Sequence, residues 1–267
     1  MPDFKGPIAR HPIPAYIVIA FAASWSMTGL LSVSLMFGLL ALFGPALGAV
    51  VVSWVDGTLG ELRGRITDWR KSPRSYLAAF GLPFAVAAVA AVVYVLLGHP
   101  APGLGAVGPI ELLIFVLVIG EEIGWRGFLM PRLRTRMSLA GAGLVTGIVW
   151  TLWHLPIYLQ PGQGLASYAV FAWWVIPLAI VMGVVAERAR YSVLVATVMH
   201  GAANLSLPIL LPGVDRTWMM VVTGTLYLVV AVALIALERS RSRMSALALT
   251  QIPTQPSNAT PTSGGLR

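Results

Sequence analysis

Apolar residues dominate this chain in blocks of about 20, the length a helix needs to cross the hydrocarbon core of a bilayer. Short stretches between the blocks collect the charges. Eight blocks can be placed, at residues 14–31, 34–55, 76–97, 105–122, 139–159, 167–186, 192–211 and 218–237. The first two follow one another almost without a link, which predicts a tight hairpin. The pattern therefore predicts an all-α, polytopic membrane protein with about eight transmembrane helices. Residues 1–239 read as a single transmembrane domain, with the polar motifs confined to about 105–211.

Charge placement gives the arrangement an orientation. Eight crossings divide the gaps into two sets, and every Lys and Arg falls in one set except Arg216. The positive-inside rule makes the basic side cytoplasmic and places both termini there. Residues 62–74, which mix Arg and Lys with Trp69, suit a segment lying against anionic headgroups, as do Arg132, Arg134 and Arg136. The N-terminal apolar block runs straight into the next one, which favours an uncleaved first helix over a signal peptide. From Ser240 the composition turns to Ser, Thr, Pro and Gly, so residues 240–267 read as a disordered cytoplasmic tail.

Composition narrows the chemistry. The chain is 57% hydrophobic and 10% charged, against roughly 25% charged in soluble domains. Its formal charge of +8 does not imply nucleic acid, because the basic residues are spread between apolar blocks instead of clustering on one soluble face. Without cysteine there is no disulfide, thiolate metal site or thiol nucleophile.

Polar residues inside apolar blocks are costly and mark function by default. Glu121 and Glu122 are followed by Arg126; Glu122 and Arg126 share a helix face, while Glu121 is rotated about 100° away. The fifth block carries Thr146, Trp150 and His154 at intervals of four. The seventh carries Thr197, His200 and Asn204 on one face, beside a Gly201-Ala202-Ala203 run that lets a neighbour approach closely. Each set has a plain structural reading, as hydrated helix ends or interhelical hydrogen bonds. Together they are explained more simply as one water-accessible pocket. A carboxylate takes a proton from water, an imidazole orients it, and His with Asn donates to a developing oxyanion. With no Ser or Thr placed beside a base, direct attack by water is favoured.

Glu-Glu-x-x-x-Arg, then aromatic-x-x-x-His, then His-x-x-x-Asn, on successive membrane segments, resembles the CPBP family of intramembrane peptidases, which includes the CAAX proteases and bacteriocin-processing proteins. The match runs from about Leu112 to Leu205. Trp150 departs from the Phe usual at that position. The resemblance implies that Glu121 activates water, His154 helps hold it, and His200 with Asn204 forms the oxyanion hole, with Glu122, Arg126 and Trp150 in support. The zinc question stays open on the sequence. Glu121, His154 and His200 would form a three-ligand site with an open fourth position, yet no His-Glu-x-x-His pair is present and a metal-free glutamate mechanism is preferred.

By length alone the two histidines sit at unequal depths, about 12 Å from the cytoplasmic end for His200 and about 22 Å for His154. A later start to the fifth crossing, with residues 133–142 lying at the interface, would reconcile them. The expected function is an intramembrane endopeptidase whose pocket opens toward the cytoplasm and takes a peptide or membrane-protein substrate. A non-proteolytic scaffold or immunity protein of the same fold and a proton-coupled transporter are the alternatives. Arg outnumbers Lys sixteen to two, which points to a bacterial source and a plasma-membrane location.

Overall fold

Helices account for the regular structure in a computed structural model that describes residues 5–30 and 33–250. They are α1 (Lys5–Arg10), α2 (Pro12–Thr28), α3 (Leu35–Ala41), α4 (Gly44–Val55), α5 (Leu59–Thr67), α6 (Pro73–Leu96) and α7 (Pro109–Leu117). The chain continues with α8 (Ile119–Gly124), a π-helical turn Trp125–Leu129, α9 (Met130–Arg134), α10 (Leu139–Trp153), α11 (Leu155–Tyr158), α12 (Leu165–Arg188), α13 (Val193–Leu210) and α14 (Arg216–Thr250). No strand occurs among the described residues. The all-α, polytopic membrane character predicted from hydropathy therefore holds.

Among the described residues, five segments are long and apolar enough to cross a membrane: Leu35–Val55, Pro73–Leu96, Leu165–Arg188, Val193–Leu210 and Arg216–Arg241. Pro12–Thr28 and Leu139–Trp153 are apolar but shorter. Large apolar side chains such as Val18, Leu77 and Val229 point outward, as a lipid solvent allows. Small residues face inward and set the helix spacing. A Cβ on Gly143 or Gly147 would lie 2.9 Å from Ile180 Cα or 3.0 Å from Ile176 Cα, so α10 and α12 approach backbone to backbone.

The fourth crossing differs from the expectation. It does not end at Glu122: helix continues from Pro109 to Arg134, interrupted at Val118 and widened into the π turn at Trp125–Leu129. Hydropathy counts Arg126 as a boundary, but here its guanidinium is fully buried against a carboxylate. Pro131 has no N–H to close the preceding turn, and Arg65 Nη1 donates to the Gly127 carbonyl at 3.0 Å instead. The glutamates consequently lie mid-helix, about 20 Å from Arg134 at 1.5 Å per residue.

This longer helix removes most of the depth mismatch. The fifth segment does not start late: α10 begins at Leu139, where Ser138 Oγ accepts from the Gly141 N–H at 3.2 Å and supplies the N-terminal cap. His200 is carried deeper because α13 starts below the surface. Ser192 and Val193 are fully buried, and Ser192 Oγ donates to the Asp68 carbonyl at 2.7 Å.

The two ends of the bundle are chemically distinct. At one end ion pairs tie helix termini together: Arg132 to Asp56 at 2.8 Å, Arg134 to Glu187 at 2.7 Å, and Arg188 to Glu238. Burial there pushes the Asp56 carboxyl up, but hydrogen bonds from Thr58 and Arg132 outweigh it and hold it below its usual value. Tyr191, raised to about 12 by burial and by Glu187, belongs to the same end. At the opposite end the ties are neutral. Gly105 N donates to Ile209 O at 2.8 Å, Trp25 Nε1 to Trp153 O at 3.0 Å, and Tyr168 Oη to Thr151 O at 3.0 Å.

Most of the expected tail, residues 251–267, lies outside the described residues. The backbone from Ser240 to Thr250 continues α14, in a stretch that has no Gly or Pro to stop a helix.

Candidate active site

Glu121 and Glu122 are adjacent in α8 and part company as their spacing predicts. Glu122 is wholly buried, with Oε1 accepting from Arg126 Nη1 at 2.9 Å. The Arg126 guanidinium lies 4.7 Å from the centroid of the Trp150 ring and reaches Met182 Sδ at 3.4 Å. Glu122 Oε1 also meets His200 Nδ1 at 2.9 Å. A carboxylate oxygen accepts, so Nδ1 carries the proton and Glu122 fixes that ring. One carboxylate from the fourth crossing thereby holds the imidazole of the seventh.

Glu121 faces the other way. Its Oε2 accepts from Trp150 Nε1 at 2.7 Å and from Trp125 Nε1 at 3.3 Å. Glu121 and His200 keep 3% and 4% of their surface exposed, whereas Glu122 and Arg126 keep none. All four are therefore buried, the ion pair completely. Trp150 is the hub, with its ring centroid 4.9 Å from His200 and 6.1 Å from His154.

His154 caps α10. Its Nδ1 donates to the Trp150 carbonyl at 2.9 Å, which leaves Nε2 as the free acceptor of a neutral ring. The ring packs on Phe171 at 4.6 Å. With Asn204 it lines a cleft of ≈ 410 Å³ whose other walls include Glu111, Phe171, Trp174 and Arg216. The structure thus gathers Glu121, Glu122, Arg126, Trp150 and His200 into one buried network and sets His154 and Asn204 in the adjoining cleft. Thr146 and Thr197, in the same stripes, are spent on backbone carbonyls of their own helices, at 2.8 Å each.

The cleft is built from the ends of α10, α11 and α13 and the starts of α7, α12 and α14. That is the end with neutral ties, away from the basic termini, where the sequence placed no opening.

A zinc ion at this site would have to draw on Glu121, His154 and His200. Among the described residues no three His, Cys, Asp or Glu side chains are grouped to hold a metal ion. Glu121 Oε2 is engaged by two indoles, and Nδ1 of each histidine has an acceptor, which leaves Nε2 as the nitrogen a metal would take.

Sequence reasoning missed Trp125, although its spacing of four from Glu121 was a usable signal. It also missed the Glu122–His200 bond, the Met182 contact, and the presence of Glu111 and Arg216 in the cleft. These join positions far apart in sequence, and no local spacing reports them.

Fold and site together define an all-α membrane protein with an acid–imidazole cluster in its interior. Residues 103–206 match the family described as type II CAAX prenyl endopeptidase Rce1-like. Over 133 residues the chain is 29% identical to the "CAAX prenyl protease 2" of Methanococcus maripaludis, covering 46% of this chain and 48% of that protein. The matched region spans about half of that relative's length. The resemblance drawn from the three motifs is borne out across the segment that carries them.

Proposed function

We propose that the chain is an intramembrane endopeptidase in which Glu121 activates water. One observation carries this reading: Glu121 is held by two indole donors, beside a sealed Arg126–Glu122 pair that fixes the His200 ring. A carboxylate buried only for packing would cost several kcal/mol with nothing gained. Glu121 takes a proton from water as the oxygen attacks the peptide carbonyl carbon. The C–N bond then breaks, and the same proton passes to the leaving amine. His154 accepts a hydrogen bond from the water through Nε2. Asn204 and a protonated His200 donate to the oxyanion.

The substrate class is a peptide or a membrane-protein segment at the bilayer. The relative's name suggests a prenylated C-terminus, whereas the Arg-rich composition suggests a bacterial plasma membrane. The relative comes from Methanococcus maripaludis and lends the bacterial assignment no support.

The test is turnover of quenched fluorescent peptides, with and without a C-terminal prenyl-cysteine motif, by purified protein. Glu121→Gln is expected to lower turnover by at least about 10²-fold while its melting temperature stays close to wild type. Equal turnover by the two proteins would remove the proposal and favour the scaffold reading.

A further inference from the structure

We propose that the groove between α10 and α14 at the basic end holds one anionic phospholipid, its phosphate on Arg239 and an acyl chain laid along α14. The site lies outside the acid–imidazole network and stands whether or not the chain hydrolyses peptides.

The sequence of α14 carries the first part of the argument. Leu228, Ala231, Val232, Ile235, Ala236 and Arg239 fall at i, i+3, i+4, i+7, i+8 and i+11, one continuous face of the helix. That face is apolar from Leu228 to Ala236 and ends in a cation. From Leu228 to Arg239 it runs about 16 Å at 1.5 Å per residue, about half of the ~30 Å hydrocarbon core. It therefore has the length of one leaflet's chains, with the guanidinium at headgroup depth.

Packing turns the face into a groove. Both α10 and α14 press closely on α12: a Cβ on Gly143 would lie 2.9 Å from Ile180 Cα, and one on Gly224 2.8 Å from the Trp173 carbonyl oxygen. Between them, Ala140, Ile180 and the α14 face line a hollow of ≈ 300 Å³. Ala140, Ala231 and Ala236 are short enough to leave this room, while Leu228 and Val232 stand exposed along it. Ala140, Ile235 and Arg239 also line a second hollow of ≈ 420 Å³, whose polar rim is Arg134, Ser138, Glu187 and Glu238. The shared residues join the two into one groove, apolar along its length and charged at its end.

Charge selects the headgroup. Both Glu187 oxygens accept from Arg134, at 2.7 and 3.0 Å, and Glu238 is held by Arg188 and Arg241. Arg239 is exposed, and among the described residues it makes no ion pair. Arg134, Arg188, Arg239 and Arg241 thus outnumber Glu187 and Glu238 around the hollow. Surplus positive charge beside an apolar groove attracts a phosphate, and it disfavours a headgroup whose own ammonium cancels that phosphate. Basic pockets between membrane helices select anionic headgroups on this ground.

The test is photo-cross-linking of the full chain in phosphatidylcholine vesicles, using phosphatidylglycerol with a photoactivatable group on one acyl chain. Cross-links should map to residues 228–239 and to Ala140 or Ile180. Unlabelled phosphatidylglycerol should displace the label there about fivefold more effectively than the same amount of phosphatidylcholine. Arg239→Gln should bring the two lipids level, and Arg239→Lys should keep most of the advantage. Ala236→Trp, which fills the groove from an exposed position, should lower cross-linking there to the level of the other lipid-facing helices. Label spread evenly over those helices in the wild type overturns the site. Equal displacement by the two lipids, or an advantage that survives Arg239→Gln, overturns the anionic headgroup. Soluble glycerol phosphate that displaces the label as well as the lipid does would assign Arg239 to a free phosphate ester and overturn the lipid. The wild-type mapping and competition need no variant, so they decide the site even where a substitution unfolds the chain.

Discussion

The Trp150 indole and the Glu121 carboxylate meet at 2.7 Å across two helices, and Trp150 also lies beside His154 and His200. One side chain thus spaces the acid from both imidazoles. Trp150→Phe keeps the wall and loses the donor; turnover should fall by about ten- to a hundredfold, since a hydrogen bond to a carboxylate is worth about 1.5–3 kcal/mol. Trp150→Ala opens a cavity at a buried site and should cost about 3–5 kcal/mol of stability. Peptide turnover and thermal unfolding in detergent distinguish the two. Equal losses from Phe and Ala would remove the indole from the positioning role.

Arg126 and Glu122 form a fully buried ion pair, so removing one partner strands the other. Arg126→Met should destabilise by about 3–5 kcal/mol, and the double variant Arg126→Met/Glu122→Gln by less than the sum of the singles. A double-mutant cycle on melting temperature reads the coupling. Additive losses would mean that the pair is not the unit described.

Gly143 and Gly147 hold α10 against α12. Alanine at either position has no room beside the Ile180 or Ile176 backbone, and overpacking should cost about 1–3 kcal/mol. Gly60→Ala, where nothing lies within 4 Å, should be neutral or better. Thermal unfolding of the three variants gives the comparison, and similar melting temperatures would contradict the close packing.

Asp56 makes the basic end acid-sensitive. Its carboxyl is held below the usual value, so its stabilisation is complete above the ordinary carboxylate range and is lost as pH falls through its lowered value. The wild-type melting temperature should begin to drop below about pH 4, and Asp56→Asn should show a shallower drop from a lower starting point. A variant that falls as steeply as wild type would mean other carboxylates govern the acid limb.

The polar stripes at Glu121–Arg126, Trp150–His154 and His200–Asn204 were legible because an apolar background makes any charge conspicuous. The Glu122–Arg126 pair follows from spacing alone. The Glu122–His200 bond does not, since it joins two crossings whose relative rotation depends on packing at positions such as Gly201, where a Cβ would lie 2.3 Å from Phe115. The end of the fourth crossing was misplaced for a related reason: hydropathy assigns charge to water, while Arg126 is neutralised within the protein.

Hydrophobic blocks, charge asymmetry and helical spacing determined by themselves that this is an all-α membrane protein with three polar faces. These are properties of single segments in contact with lipid, and lipid reads composition. Which carboxylate holds an imidazole, which takes the two indoles, and at which end the cleft opens were decided only when the segments packed. Those outcomes depend on distances between groups far apart in the chain, and such distances exist only in the folded molecule.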